Sequence, residues 1–319
     1  MTGKDKIRSV DLSIIIVNWN AKDLLRDCLS SIYEKTLGIQ FEVIVADNAS
    51  SDGSLQMVRS EFPQVKLLAN SENLGFARAN NLALPAAMGR YIGVLNPDTV
   101  LLNNAFTMMV SKLESEPRIG IAGPRLLTSD DMLDYQCARH FISLRSEFER
   151  ILGLGADRGV RTPLGNFLPL AEYDNSQEID CVSGACMVMR RDVLRDGRIF
   201  DPRFFMYAED VDLCYETVRN GWKVFYLSEA HVIHSRGESS GRVSAVLYSM
   251  RANYQFFVKR RGYLAGYMYR SLWVIVTMGK LAITWLVRLS PRFRQDPVWM
   301  KRDSEYPQMI RYALRLEDH

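Results

Sequence analysis

Short apolar runs alternate with amphipathic stretches through the first hundred residues. Residues 12–18 (LSIIIVN) and 41–46 (FEVIVA) are β-branched and apolar throughout, the pattern of strands buried on both faces of a parallel sheet. Between them Leu24, Leu25, Cys28, Leu29 and Ile32 recur at three- and four-residue spacing, which predicts a helix over about 22–35. Strand, helix and strand make a βαβ unit, expected to cross over right-handed. A helix after Asp52-Gly53-Ser54, a strand over 65–69, a helix near 77–88 and a strand over 91–95 continue the alternation of a nucleotide-binding α/β half. From about 120 to 180 the periodicity blurs, and only loops and a helix around 144–152 are predicted. Strands are predicted again over 183–190 (SGACMVMR) and 222–227 (WKVFYL), with an amphipathic helix at about 210–220 between them. No internal repeat or low-complexity segment interrupts the pattern.

Composition narrows the class. With 319 residues, 47% hydrophobic and 24% charged, the chain can bury a full core and is neither disordered nor fibrous in type. The five cysteines, Cys28, Cys137, Cys181, Cys186 and Cys214, are odd in number and lack short metal-ligand spacing, so they are expected to be reduced and structural. The polar start MTGKDKIRSVDLS lacks the apolar core of a secretory signal, and a cytoplasmic protein is expected. The net charge of +3 hides an asymmetry: from Arg251 onward there are 13 Lys and Arg against 5 Asp and Glu.

Ligands of open α/β sheets bind beyond the carboxyl ends of the strands, and three polar clusters follow strands directly: Asp47-Asn48, residues 70–73 and Asn96-Pro97-Asp98. Asp98 is suited to ligate a divalent cation, with Pro97 stiffening the turn, although Asn-Pro-Asp is first of all a turn sequence. In DNASSDGS the later Ser and Asp suit a helix cap, which leaves Asp47 for a base or ribose. Glu209-Asp210-Val211-Asp212 puts three carboxylates behind an aromatic run, more than helix capping explains. His231 and His234 follow the late strand in HVIHSRGESSGR, where an imidazole near Arg236 and Ser239 suits a metal and diphosphate site. The first turn, Asn18-Trp19-Asn20 with no glycine until Gly38, argues against a nicotinamide-dependent oxidoreductase.

The ordered series IIIVNWN, DNASSDGS, NLGFARANN, LNPDT, SGACMVMRR, FFMYAEDVDLC and HVIHSRGESS resembles family 2 glycosyltransferases, within them the bacterial rhamnosyltransferase-like group, over about 11–240. The resemblance implies a GT-A fold, a Rossmann-like α/β sheet with an acceptor-side subdomain. It implies a domain over 1–245, with a nucleotide-sugar half over about 11–100 and an acceptor half over about 101–245. A basic helical region, 246–319, follows. The activity implied is inverting transfer of a sugar from a nucleotide diphosphate sugar, with dTDP-L-rhamnose suggested and UDP-hexoses open, to a saccharide or polyprenyl-linked acceptor. The rival reading is a nucleotide-sugar-binding protein that does not turn over.

Carried over by residue, Asp47 resembles the family's base-binding acid, and Asn73, Gly75 and Asn81 the loop beside the nucleotide. Asn18, Asn48, Arg78 and Asn96 join that side. Asp98 and His234 resemble the ligands of a Mg²⁺ or Mn²⁺ ion, with Asn96 replacing the first acid of the DxD motif. Asp210 resembles the acceptor-activating base and Glu209 its support. Gly184, Asp212 and Arg236 are acceptor-side or diphosphate candidates.

The stretch 263–289 is apolar, but Arg270 and Lys280 interrupt it, so a simple spanning helix is not expected. On a helical wheel Arg270, Thr277, Lys280, Thr284 and Arg288 form one narrow polar stripe. Two readings follow: a helix packed on protein, or an interfacial helix with Trp273 and Trp285 at headgroup depth and basic residues on anionic lipid. Association with the inner face of the cytoplasmic membrane is expected, a homodimer is allowed, and no nucleic-acid partner is expected.

Overall fold

The β-branched runs form strands and the amphipathic stretches pack over them. In the computed structural model, which describes residues 10–152, 166–235, 242–290, 293 and 296–316, the first half runs β1 (Leu12–Asn18), α1 (Lys22–Lys35), β2 (Phe41–Asp47), α2 (Ser54–Glu61), β3 (Lys66–Ala69), α3 (Gly75–Ala83), β4 (Tyr91–Leu95), β5 (Thr99–Leu101), α4 (Ala105–Ser115) and β6 (Ile119–Leu127). There follow β7 (Ala138–Arg139), α5 (Leu144–Leu152), β8 (Gln177–Ile179), β9 (Cys181–Val182), β10 (Cys186–Arg190), α6 (Glu209–Arg219), β11 (Lys223–His234), α7 (Arg242–Arg261), α8 (Tyr263–Arg288) and α9 (Pro297–Leu314).

The main sheet has the order β3-β2-β1-β4-β10-β6-β11-β5, with β8 added to β11. Its first four strands are parallel, and the fully buried β1 lies between β2 and β4. Antiparallel β10 then pairs with β4 on one side and β6 on the other, so the sheet is mixed rather than wholly parallel. All five cysteines are buried and free.

Several elements depart from the sequence reading: α3 ends at Ala83 rather than near 88, β7 and β8 are short strands in the stretch read as loops, and β6 and β11 differ most. The interior strand β6 lies where periodicity predicted only loops, because Gly120, Gly123 and Pro124 interrupt its apolar run. A Cβ at Gly123 would come within 2.6 Å of Val182, so this close approach requires glycine. The late strand β11 continues to His234 instead of ending near Leu227, with a register shift between Leu227 and His231 that carries the chain past Ser228-Glu229-Ala230. His231 and His234 therefore lie on a strand, not on a following loop.

The chain divides into two units, one of residues 1–141 and 167–237, the other of 142–166 and 238–319. The second is helical, built from α5, α7, α8 and α9. Within it the polar stripe of α8 faces inward. Thr277 and Thr284 are buried, Lys280 donates to the Ile151 carbonyl, Arg270 donates to the Leu316 carbonyl and Arg288 pairs with Asp303. Trp273 is buried too, under the guanidinium of Arg150 at 5.4 Å, and so is not a headgroup anchor. The outward face is apolar: Leu264, Met268, Ile275, Met278, Ile283, Trp285 and Leu286 are all more than half exposed. At 26 residues, about 39 Å, α8 is long and apolar enough by length and composition to cross a membrane, despite the charges that interrupt it.

Candidate functional site

The parallel strands deliver their loops to one rim of the first unit. Asp47 ends β2 opposite Asn18 at the end of β1, and the Asn18 amide donates to Asp47 Oδ1 at 2.7 Å. The Ser50 N–H donates to Asp47 Oδ2 at 2.9 Å. Asp47 is 1% exposed and braces the loop, each of its oxygens keeping a second lone pair. Asn18 Oδ1, buried beside it, has no hydrogen-bond partner among the described residues. Asn48 links the next loops: its amide donates to Asn73 Oδ1 and the Gly75 carbonyl, and its oxygen accepts from Asn70.

Asn73 Oδ1 also accepts from the Gly75 N–H, at the start of α3. Gly75 has φ +76°, and an added Cβ would lie 2.5 Å from the Phe205 carbonyl, while the Phe76 N–H donates to that same carbonyl at 2.9 Å. The loop before α6 is thereby tied to α3. Asn81 strengthens the tie by bonding the backbone of Ile199 and Phe200, and Arg78 donates to the Pro202 carbonyl. These two residues engage the chain itself.

Asn96 and Asp98 follow β4, and His234 pairs in register with Thr99 of β5. His234 Nε2 lies 3.3 Å from the Asn96 amide nitrogen and 3.5 Å from Asp98 Oδ1. Its other nitrogen faces Asp134 at 3.5 Å, a buried carboxylate that no sequence motif marked. Burial alone would depress the imidazole, but Asp134 and Asp98 raise it to about 9. Asp98 Oδ1 and His234 Nε2 face each other, and the pair could hold a divalent ion once the ring gives up its proton to it. Among the described residues no group of three or more His, Cys, Asp and Glu side chains is placed to hold a metal ion.

The second cluster begins one hydrogen bond away: the Asn96 N–H donates to the Ala185 carbonyl at 2.8 Å. Next to Ala185, the Gly184 N–H donates to Asp210 Oδ2 at 3.1 Å, and a Cβ on Gly184 would lie 3.2 Å from that of Asp210. Arg139 of β7 donates to the same oxygen at 3.0 Å. Breaking such a buried pair from one side costs about 3–5 kcal/mol. Tyr207 and Ala208, just before α6, have φ of +71° and +61°, two successive left-handed non-glycine residues that store about 1–3 kcal/mol each at the turn presenting the carboxylates.

Glu209 is buried, with Oε2 unpartnered among the described residues, and burial together with Asp210 pushes its carboxyl up to about 8. Asp212 is buried farther along the same turn. Arg236 lies outside the described residues. The structure thus gathers Asn96, Asp98 and His234 in one group and Gly184, Glu209 and Asp210 in the adjoining one. Sequence reasoning missed Asp134 and Arg139, which belong to the stretch without periodicity and to no motif.

A mixed sheet whose strand-end loops bring an Asp–His pair beside a buried carboxylate pair, with added helices, is the GT-A glycosyltransferase fold. The chain belongs to glycosyl transferase family 2, whose model matches residues 13–198, and within it to the rhamnosyltransferase-like group. It is 31% identical over 222 residues to N-acetylglucosaminyl-diphospho-decaprenol L-rhamnosyltransferase of Mycobacterium tuberculosis, covering 63% of this chain and 68% of that one. It is 32% identical over 103 residues to an Escherichia coli protein named UDP-Glc:alpha-D-GlcNAc-diphosphoundecaprenol beta-1,3-glucosyltransferase WfgD, covering 32% of this chain and 40% of that one. In fold it is similar to the mannosyltransferase PcManGT of Pyrobaculum calidifontis, solved with GDP-Man and Mn²⁺, at a TM-score of 0.57 and 17% identity over 97% of this chain and 88% of that one.

Proposed function

We propose that the chain transfers L-rhamnose from dTDP-rhamnose, with inversion, to a saccharide or lipid-linked saccharide in bacterial cell-surface polysaccharide synthesis. One observation carries the reading: the Asn96 to Ala185 hydrogen bond joins the Asp98–His234 pair directly to the loop that holds Asp210. The two chemical demands of transfer, charge compensation at a diphosphate and removal of a proton from an acceptor hydroxyl, thus have adjacent residues to meet them. Asp98 and His234 would hold Mg²⁺ or Mn²⁺, the imidazole favouring Mn²⁺. Bound there, the ion offsets the negative charge of the nucleoside diphosphate leaving group. Asp210 accepts the acceptor proton as base, and one in-line displacement inverts the anomeric carbon. Glu209 supports it from the same turn. Asn18, Asn48, Asn73 and Gly75 line the nucleotide side.

Rhamnose and a lipid diphosphate acceptor are supported by the name of the mycobacterial relative. A UDP-hexose donor is the second reading, favoured by the E. coli relative. We further infer peripheral binding at the inner face of the cytoplasmic membrane, supported by the outward apolar face of α8 and the basic C-terminal region. The test is a thermal-shift panel of nucleotide sugars with Mn²⁺ or EDTA, followed by transfer assays. Stabilisation by dTDP-rhamnose only with metal, followed by product formation on a lipid-linked GlcNAc acceptor, is expected. Binding of a nucleotide sugar without any transfer or hydrolysis would make the chain a binding protein instead.

A further inference from the structure

Arg139 belongs to no motif, yet its guanidinium faces the carboxylate assigned above as base. Its backbone is held on both sides: β7 pairs Arg139 with Cys181 of β9, and an isolated bridge joins it to Phe167. From that fixed point Nη2 donates to Asp210 Oδ2 at 3.0 Å, and the Gly184 N–H donates to the same oxygen at 3.1 Å. Oδ1 accepts from the Val211 N–H at 2.7 Å, its one hydrogen bond among the described residues. The two oxygens are therefore unequal. Oδ2 is engaged twice, whereas Oδ1 keeps a lone pair for an incoming hydroxyl.

Among the described residues, four groups with charge or protons to exchange surround this carboxylate. Glu209 adjoins it on α6, Cys214 lies on the same helix, Cys181 comes from β9, and Arg139 from β7 is the cation paired with it. Both partners of the Arg139–Asp210 pair are largely buried, with side chains 15% and 10% exposed, so water screens their attraction weakly.

Resting on the reading of Asp210 as base, we propose that Arg139 is the positioning residue of the acceptor-activating carboxylate. It holds Oδ2, so that Oδ1 is the oxygen left to accept from the acceptor hydroxyl. A lysine at this position would retain the charge but not the planar fork, and a glutamine would lose the charge.

The full chain, as wild type, Arg139→Lys, Arg139→Gln and Asp210→Asn, is assayed for transfer across pH, with donor affinity measured separately. Arg139→Gln is expected to lower turnover about a hundredfold or more at unchanged donor affinity, through lost orientation of the carboxylate. Arg139→Lys, which keeps one donor toward Oδ2, recovers part of that loss while turnover stays about tenfold or more below wild type. Wild-type turnover in Arg139→Gln, or a loss of turnover matched by a loss of donor affinity, overturns the proposal. If the glutamine variant does not fold, Arg139→Lys decides, and wild-type turnover in it is the overturning result. The base assignment fails separately, through an Asp210→Asn variant that still turns over.

Discussion

Glu209 and Asp210 are adjacent in sequence but live in different surroundings. Asp210 is met by a guanidinium and two backbone N–H groups, while Glu209 is buried with one oxygen unpartnered among the described residues. Burial and the neighbouring carboxylate push Glu209 up from 4.5 to about 8. Folding therefore favours its protonated form, a contribution fully present below about 4.5 and lost as pH rises through about 8. Urea unfolding should then show Glu209→Gln gaining stability relative to wild type between about pH 5 and 8, with a plateau above. A difference that stays constant with pH would contradict this. Asp98, His234, Glu209 and Asp210 were legible as candidates because each sits in a compact motif at an element end. Arg139 and Asp134 were not, since their partners lie far along the chain and only the folded sheet brings them together.

Among the elements, α1, β1 and β4 have the bounds their periodicity predicts, because each has a continuous apolar pattern to read, and α5 also falls over the predicted 144–152. β6 was illegible because glycines and a proline replace side chains where Val182 and Val193 crowd the backbone. The extension of β11 was hidden by the residues of its register shift, and with it the placement of His234 on a strand. The polar stripe of α8 was legible but its direction was not, since a wheel does not say which face meets protein. With the stripe turned inward, the apolar face is the one left exposed. If that face meets lipid as proposed, the chain should float with anionic liposomes at low salt and be released incompletely by high salt, because the apolar contact is insensitive to screening. Ile275→Glu with Leu286→Glu, both on the exposed face, should abolish flotation without unfolding the chain. Wild-type protein that stays at the bottom of the gradient would show that the face meets something other than lipid.

For the whole molecule, the account rests on a division of labour along one rim of the first unit. In the proposed function the loops from β1, β2 and α3 would form the nucleotide side, Asp98 and His234 the diphosphate side, and Asp210 the acceptor side, with the Asn96 to Ala185 hydrogen bond between the last two. The α/β class and the family were legible from the order of the motifs. The mixed sheet was not, because the direction of β10 depends on the long segment that precedes it. If the division holds, the two halves separate on substitution. The most direct measurement compares Asp98→Asn and Asp210→Asn in parallel, by Mn²⁺-dependent binding of the nucleotide sugar and by turnover on a saccharide acceptor. Asp98→Asn should lose metal-dependent donor binding, whereas Asp210→Asn should bind donor as wild type does and turn over about two to four orders of magnitude more slowly. Near-normal turnover in Asp210→Asn, or undiminished metal-dependent binding in Asp98→Asn, would contradict the account.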